Sequence, residues 1–572
     1  MSFINVFKTR TTFFLIIIIA IALFLRLLGL GWGLQDNNIV RWSTHYDENF
    51  SVVSSQQIDF SKGDINPEIG QIDGSFSYYL WTFNAFILKT IGVLDKTPNH
   101  IDTIGQEYAD YIFYSRLLIV FFDILSVLLV FFIVRKITGS RSASLMAAFI
   151  FAIIPFEIMH SNYMRPHILL NTFLLLIIYL SLFIYDNKKN SLYIKIGIVL
   201  GLFVATRFTS LIYALIPIFF FYYANFSALK QRSLKNIAAI LFNRKLFIMS
   251  GFLLIGLIIG NPSWVLDFNS IKTAIILQEN SGKNLGGSID HLIYIAKYFF
   301  FQYTFWIIPA GTFTLWLLFY PACIYSLFIK KYYKYIIPLY LFSIIYFPPI
   351  ILVYPIETIR TVLPLFPIFT IILGIVISHF NEKFAVKKAV FYVVTGITGF
   401  ALISTSLFSF SVAKAMGNKS KDAYMQTVSF FENEPPKNKI NVAVLAPECG
   451  IFIFPNIYNT MNSIPGKNFS FYNGRHKKIT NYDNGYDDSI DYYSIKNDSI
   501  DYVLICNIDY YGIEPTQEII EALTKNHDFI VEKEFKNDIC FFNLFYDYSH
   551  APHDFRYPFQ TIHLLKANNQ QE

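Results

Sequence analysis

The stretch "YIKIGIVLGLFVATRFTSLIYALIPIFFFYYAN", residues 193–225, reads either as one long apolar helix or as two short ones broken near Arg207. The choice decides how every later part of the chain sits in a membrane. A bilayer-crossing helix needs about 20 mostly apolar residues, so the stretch is long for one span and short for two. The charge of the next segment separates the readings. Segment 226–246 carries Lys230, Arg232, Lys235, Arg244 and Lys245 and no acid, and Lys and Arg favour the cytoplasmic ends of short loops. A break at Arg207 puts that segment on the same side as Lys8/Arg10, Arg135/Lys136/Arg141, Lys188/Lys189/Lys195, Lys330/Lys331/Lys334 and Lys383/Lys387/Lys388. A single helix flips that segment and every later loop, leaving them outside while the basic groups before residue 193 stay inside. The break is therefore expected, with two short spans as its cost.

The rest of the chain supports a membrane setting. Of 572 residues, 54% are hydrophobic and 15% charged, against roughly 25% charged in soluble domains. The first run, "TTFFLIIIIAIALFLRLLGLGWGL" (11–34), comes after Lys8 and Arg10. It is too long for a signal-peptide core and no small-residue cleavage site comes after it, so it reads as a retained span. Further spans are expected near 111–134, 142–158, 166–185, 193–206, 208–225, 247–263, 299–328, 336–353, 361–379 and 389–411, about eleven in all. The expected fold is a polytopic α-helical membrane protein of the cytoplasmic membrane. With the N-terminus inside, three regions face outward: loop 34–110, in which acids outnumber bases, loop 264–298, and everything after about residue 412. The net charge of +6 comes largely from the inner loops. It is a topology signal and not a nucleic-acid footprint.

The tail reads as an extracytoplasmic α/β domain, 413–572, after a membrane module of 1–412. "KINVAVLAP", "DYVLICN" and "ICFFNLFY" are apolar strands bounded by polar turns. "PTQEIIEALTKN" is a short helix with Pro near its start. Cys449, Cys506 and Cys540 lie in this tail. An oxidising exterior permits one disulfide among them, although Cys506 and Cys540 sit in apolar strands where a packed thiol fits equally well.

Ionisable groups at membrane depth are functional candidates by default, and here they gather at the outer ends of the spans. "WSTHYDENFS" (42–51) brings His45, Asp47 and Glu48 just beyond the first span. "IPFEIMHSNYMRPHILL" places Glu157, His160, Arg165 and His167 around the turn between the third and fourth spans. Arg207 lies just after the fifth, and Glu357 and Arg360 lie between the ninth and tenth. Three outer turns thus carry an arginine that the charge rule disfavours. An anion at the outer face supplies a cause, because the guanidinium fork pairs with phosphate and stays charged. Beside an acidic pair, such arginines fit transfer of a sugar from a polyprenyl-phosphate donor. A carboxylate takes the proton of an attacking hydroxyl, a contribution of roughly 10²–10⁴-fold. Fixed positive charge stabilises the departing phosphate, and direct displacement inverts the anomeric centre. Arg26 in "LFLRLLGL" and Asp123 in "VFFDILSV" read instead as structural, satisfied between helices.

Together these motifs resemble those of glycosyltransferase family 39-like proteins, the group of the protein O-mannosyltransferases within the C-type (GT-C) integral-membrane superfamily. "LRLLGLGW" and "HYDE" resemble the family's first span and H-P-D-E loop, with Tyr46 in place of proline. "GDINP" (63–67) and "FSYYLWTFNAFI" resemble the next segment, which precedes outer amphipathic helices. "HSNYMRPHILLNTFLLLIIYL" resembles its R-x-D turn, with His167 where Asp is common. "GLFVATRFTSLIYALIP" resembles a G-L-A-x-x-T-K-Y segment, with Arg207 in place of lysine, and "RTVLPLFPI" resembles R-Y-x-L-P-x-x-P. The resemblance covers roughly residues 20–370 and implies roles at the site. Asp47 is the base or acceptor-orienting carboxylate, with Glu48 beside it. Arg165, Arg207 and Arg360 hold the donor phosphate. His45, His160 and Glu357 are expected to line the substrate site from their place at the outer ends of the spans, not from the resemblance. The acceptor is a protein, lipid or glycan. No metal is required by this chemistry; a divalent ion suits His45, His160 and His167 with Asp47 and Glu157, but no spacing enforces it. The alternative is a transporter or flippase of a lipid-linked anion, which predicts repeats, broken helices and polar groups at mid-membrane.

Overall fold

The computed structural model describes residues 10–34, 46–67, 74–101, 106–186, 189–225, 243–266, 272, 313–353, 363–384, 388–418, 423–433, 440–445, 469–473, 500–506, 516–526, 529–536 and 561–568. The chain divides into two compact units: 1–27, 50–100 and 114–413 form the first, and 28–49, 101–113 and 414–572 the second.

The first unit is helical and apolar, as expected of a polytopic helical membrane protein. Five helices among the described residues are long and apolar enough to cross a bilayer: Arg10–Leu28, Gln106–Thr138, His167–Ile184, Leu365–Lys383 and Tyr392–Gly417. The count of eleven spans also used residues 299–312 and 361–362, which lie outside the described residues. The elements that position the site are α1 (Arg10–Leu28), α2 (Tyr46–Gln56), α3 (Phe76–Thr90), α4 (Gln106–Thr138), α5 (Arg141–Ala152), α6 (Pro155–Ser161), α7 (His167–Ser181), α8 (Asn190–Thr206), α9 (Leu215–Ala224), α10 (Arg244–Gly260), α11 (Phe313–Ser326), α12 (Tyr333–Val353), α13 (Leu365–Phe384) and α14 (Lys388–Gly417).

The expected break at Arg207 is present. α8 ends at Thr206, Arg207 is extended (φ −159°, ψ 124°), and a 3₁₀ stretch Phe208–Ala214 leads into α9. The chain reverses there. The rings of Tyr193 and Phe221 lie 6.2 Å apart, whereas a straight helix would separate these residues by about 42 Å. α10 then runs parallel to α8 with its register in step, Gly197 against Met249, Gly201 against Leu253 and Ala205 against Gly260. The glycines allow this approach: a Cβ on Gly201 would fall 2.5 Å from the Leu257 nitrogen, and one on Gly256 3.0 Å from the Ile198 Cα. Small residues four apart are the usual means of close backbone packing in membranes.

Contacts place the basic segments at one end of this unit. Lys136 pairs with Asp186 at 2.6 Å, and Lys331 with Glu382 at 3.0 Å. The Tyr185 hydroxyl donates to the Lys334 carbonyl, and the Lys245 ammonium lies 5.5 Å from the centre of the Tyr193 ring. The opposite end carries the α6–α7 turn, the α8–α9 turn and the start of α13, where Phe366 meets Phe156 at 6.1 Å. Part of the first loop docks at that end. Gly74 (φ +88°) lies against the last turn of α8, where an added Cβ would fall 3.0 Å from the carbonyl carbons of Ala205 and Thr206. The Ser75 and Ser263 hydroxyls approach to 3.4 Å.

One expected span is not a plain helix. Residues 142–158 divide into α5 and α6, bent by 58° around Ile153 and Ile154. Pro155 begins α6 and lacks the N–H that would continue α5, and the residue before a proline is biased away from helix.

The second unit contains a five-stranded sheet of order β2-β1-β3-β5-β4. Its strands are β1 (Ile440–Leu445), β2 (Phe469–Asn473), β3 (Tyr502–Cys506), β4 (Phe529–Lys536) and β5 (Thr561–Ala567). β1 is parallel to β2 and β3, whereas β5 is antiparallel to β3 and β4. Helix α15 (Ala423–Asn433) packs Phe431 on Tyr502 at 5.2 Å. Helix α16 (Thr516–Asn526) buries Ile519, Ile520 and Leu523 against Val503, Phe529 and Leu565. Two of the expected strands and the expected helix appear here; "ICFFNLFY" (539–546), Cys449 and Cys540 lie outside the described residues.

Candidate active site

The motif "HYDE" does not end in a solvated loop. Helix α2 begins at Tyr46, so Asp47 and Glu48 occupy its first turn, where the helix dipole favours negative charge. Glu48, Ser51, Val52, Ser54 and Ser55 are fully buried. Asn49 accepts a hydrogen bond from the Tyr108 hydroxyl at 2.6 Å. His45 and the Asp47 side chain lie outside the described residues, as do Glu357 and Arg360.

Further along, "GDINP" (63–67) serves as a turn. Asp59 and Asp64 exchange backbone hydrogen bonds of 2.8 and 3.0 Å, and the Tyr79 hydroxyl donates to the Ile65 carbonyl at 2.7 Å. The Ser61 hydroxyl and Lys62 hold the Asp59 carboxyl far below the usual carboxylate range.

The α6–α7 turn is buried throughout; every residue from Ile150 to Thr172 is below the surface. Glu157, His160, Arg165 and His167 all fall within it. Asn162, Tyr163 and Arg165 close the turn, their backbone N–H groups donating to the carbonyls of Met159, His160 and Tyr163. The turn points Arg165 at α2: its Nη1 lies 3.4 Å from the Ser51 hydroxyl. Ser51 is one helical turn beyond residue 47, so positions 47 and 51 share a face of α2. The imidazoles of His160 and His167 meet edge to face at 5.5 Å, with Phe156 at 4.3 Å and Tyr163 at 5.4 Å from His160. Glu157 does not join this group as a ligand. Its Oε1 accepts from the Asn171 amide at 2.8 Å. Among the described residues, no three His, Cys, Asp or Glu side chains are grouped to hold a metal ion.

Arg207 lies at the same end of the first unit as Arg165, half-buried, with its carbonyl accepting from Ser210 N at 2.9 Å. Arg116 is an additional candidate that sequence reasoning misses. It is fully buried in the N-terminal half of α4, two turns before Asp123 on the same face. Its signal is present in the sequence: an arginine in "YIFYSRLLIV" is a charge inside an expected span. Arg26 and Asp123, read as satisfied between helices, pair at 2.6 Å with both side chains fully buried.

Residues 110–255 match the sequence profile of the family described as dolichyl-phosphate-mannose-protein mannosyltransferase. No curated protein sequence matches the chain. Solved structures similar to it include the following three. The oligosaccharyltransferase of Archaeoglobus fulgidus, in complex with zinc and sulfate, is 14% identical with a TM-score of 0.48, over 86% of this chain and 68% of that one. ArnT from Cupriavidus metallidurans, bound to undecaprenyl phosphate, is 10% identical with a TM-score of 0.42, over 97% and 98%. The S. cerevisiae protein O-mannosyltransferase Pmt1-Pmt2 complex, bound to the sugar donor, is 16% identical with a TM-score of 0.33, over 46% and 34%. Residues 110–255 are thus similar to the family described as dolichyl-phosphate-mannose-protein mannosyltransferase, in keeping with the family 39-like resemblance that the motifs carry.

Proposed function

We propose that the protein is an inverting glycosyltransferase that moves a sugar from a polyprenyl-phosphate donor to a hydroxyl acceptor at the outer face of the cytoplasmic membrane. Asp47 removes the acceptor proton, Glu48 shapes the base from the first turn of α2, and Arg165, Arg207 and Arg360 hold the donor phosphate, with Arg116 as a further guanidinium. His45, His160 and Glu357 line the site, and the sheet-bearing tail faces outward. The observation that carries this is the approach of Arg165 to Ser51, which brings a cation of the α6–α7 turn to the helix that bears Asp47. In the displacement, the acceptor oxygen bonds to the anomeric carbon as the bond to the phosphate oxygen breaks. The proton passes to the carboxylate, and the phosphate leaves with one more negative charge. Guanidinium groups fixed beforehand stabilise that charge without reorganising. The match to a family described by a lipid-phosphate donor supports the donor class.

A transporter of a lipid-linked anion is the second reading, favoured by the break between α5 and α6. In transporters with broken helices, the carbonyls freed at the break coordinate the coupling cation. Here the Ala152 carbonyl is already bonded to Arg26 at 2.9 Å, which favours the enzyme. The test is turnover of a panel of lipid-linked sugars by purified protein. Asp47→Asn is expected to lower transfer by roughly 10²–10⁴-fold with membrane insertion intact. Full activity in that variant removes the base assignment, and donor translocation without sugar release supports the transporter.

A further inference from the structure

The break in the third span is held from three sides. Ala152 and Ile153, at the end of α5, present carbonyls that the bent chain cannot bond within its own helix. Arg26 of α1 donates to Ala152 at 2.9 Å, and the Ser409 hydroxyl of α14 donates to Ile153 at 2.5 Å. Arg26 is itself fixed by Asp123 of α4 at 2.6 Å and by the Ala22 carbonyl at 3.1 Å. Beyond the break, Glu157 of α6 accepts from Asn171 of α7 at 2.8 Å. α6 and α7 are the two arms of the turn that carries Arg165.

These bonds are a poor way to gain stability alone. Among the described residues, Glu157 Oε2 and Asp123 Oδ1 are buried with no hydrogen-bond partner, and buried unsatisfied oxygens are costly. Apolar residues of similar shape would hold the helices as firmly. What the polar ties add is a single geometry for the turn. We propose that Arg26–Asp123 and Glu157–Asn171 are positioning pairs that fix the broken span, so that the Arg165 guanidinium is set before the donor phosphate arrives. This rests on the assignment of Arg165 to that phosphate. A guanidinium already held in place spares the ordering cost at binding.

The experiment uses the full-length chain in nanodiscs with undecaprenyl phosphate as the probe, its Kd measured alongside thermal unfolding. Asn171→Val and Glu157→Met cut the tie between α6 and α7, the second removing the carboxyl as well, and Glu157→Gln keeps an oxygen for Asn171. Both apolar variants are expected to bind the probe about tenfold more weakly with unfolding little changed, and Glu157→Gln to bind as the parent does. Parent-like binding in the apolar variants overturns the proposal, as does equal loss in Glu157→Gln. If the parent binds and Arg165→Ala binds equally well, the phosphate assignment itself is wrong and the positioning role falls with it. If the parent does not bind the probe at all, the donor reading fails first. Asn171→Ser, which shortens the donor but stays polar, carries the same test if the apolar variants do not fold.

Discussion

Replacing Gly201 by valine tests the seam that holds α8 against α10. The first added carbon would fall 2.5 Å from the Leu257 amide nitrogen and 2.7 Å from the Gly256 carbonyl carbon, where ordinary contact begins at 3.4 Å. α10 must therefore retreat by about 1 Å along this part of the seam, and a gap of that size forfeits a quarter to a half of each dispersion contact. Overpacking of this kind costs about 1–3 kcal/mol, equivalent to roughly 5- to 150-fold in the unfolding equilibrium. Gly251 supplies the control, since an added Cβ there meets nothing within 4 Å among the described residues. The assay is the half-life of the folded protein in detergent at a fixed elevated temperature, because membrane proteins often unfold irreversibly. Gly201→Val should shorten that half-life while Gly251→Val leaves it unchanged. Equal half-lives for the two variants would mean that α8 and α10 do not share a close parallel seam, and the topology drawn from it would have to be abandoned.

The same geometry sets other outcomes. Arg165→Ala should raise the KM for the lipid-linked donor more than that for the acceptor, read from initial rates at varied donor concentration; an unchanged donor dependence counts against phosphate contact. A cysteine placed within 226–246 should resist membrane-impermeant maleimide in intact cells, because α8 and α10 are parallel and α9 returns the chain between them; labelling from outside reverses the orientation. In the tail sheet, burial above all holds His563 below its ordinary value of 6.5, with Glu534 raising it and Lys536 lowering it. The unfolded chain then takes up the proton first as pH falls through that ordinary value, so folding stability is lost between it and the lower folded value and is flat above. Hydrogen exchange of the β4 and β5 amides should therefore quicken as pH falls through 6.5, after correction for the intrinsic rate. His563→Gln should remove the part due to this residue, and an identical pH response in that variant would refute it.

Much of the helical unit is legible in the sequence because its signals are local and additive. Charge on either side of 193–225 locates the break at Arg207, since an unbroken helix would exchange the sides of every later loop. β1, β3 and α16 are legible as short apolar or amphipathic runs between polar turns. The break after Ala152 is not, because residues 142–158 are continuously apolar and only Pro155 marks it. α2 is also hidden. "YDENFSVVSSQ" is mostly polar, with only Phe50, Val52 and Val53 as aliphatic or phenyl side chains, so its burial depends on partners such as Tyr108 and Arg165, far off in the chain. The site is legible in its residue types and less so in its depth. Sequence alone puts Glu157 and Arg165 at an outer turn, yet that turn is buried, because tertiary packing and not hydropathy sets how deep a hairpin sits.

The two arms of the α8–α9 hairpin meet the bilayer on unequal terms. Phe208–Ala224 gains reach from its 3₁₀ segment, which rises about 2.0 Å per residue against 1.5 Å in an α-helix. The seventeen residues of α8 extend only about 26 Å, short of a hydrocarbon core of about 30 Å. Lys195, exposed in its second turn, shortens the apolar part further. The acyl chains flanking that helix have to compress to meet it, or its lysine has to reach back to the headgroups, at fractions of a kcal/mol per Å. The local thickness of the surrounding lipid is therefore a variable this protein feels on one flank and not on the other.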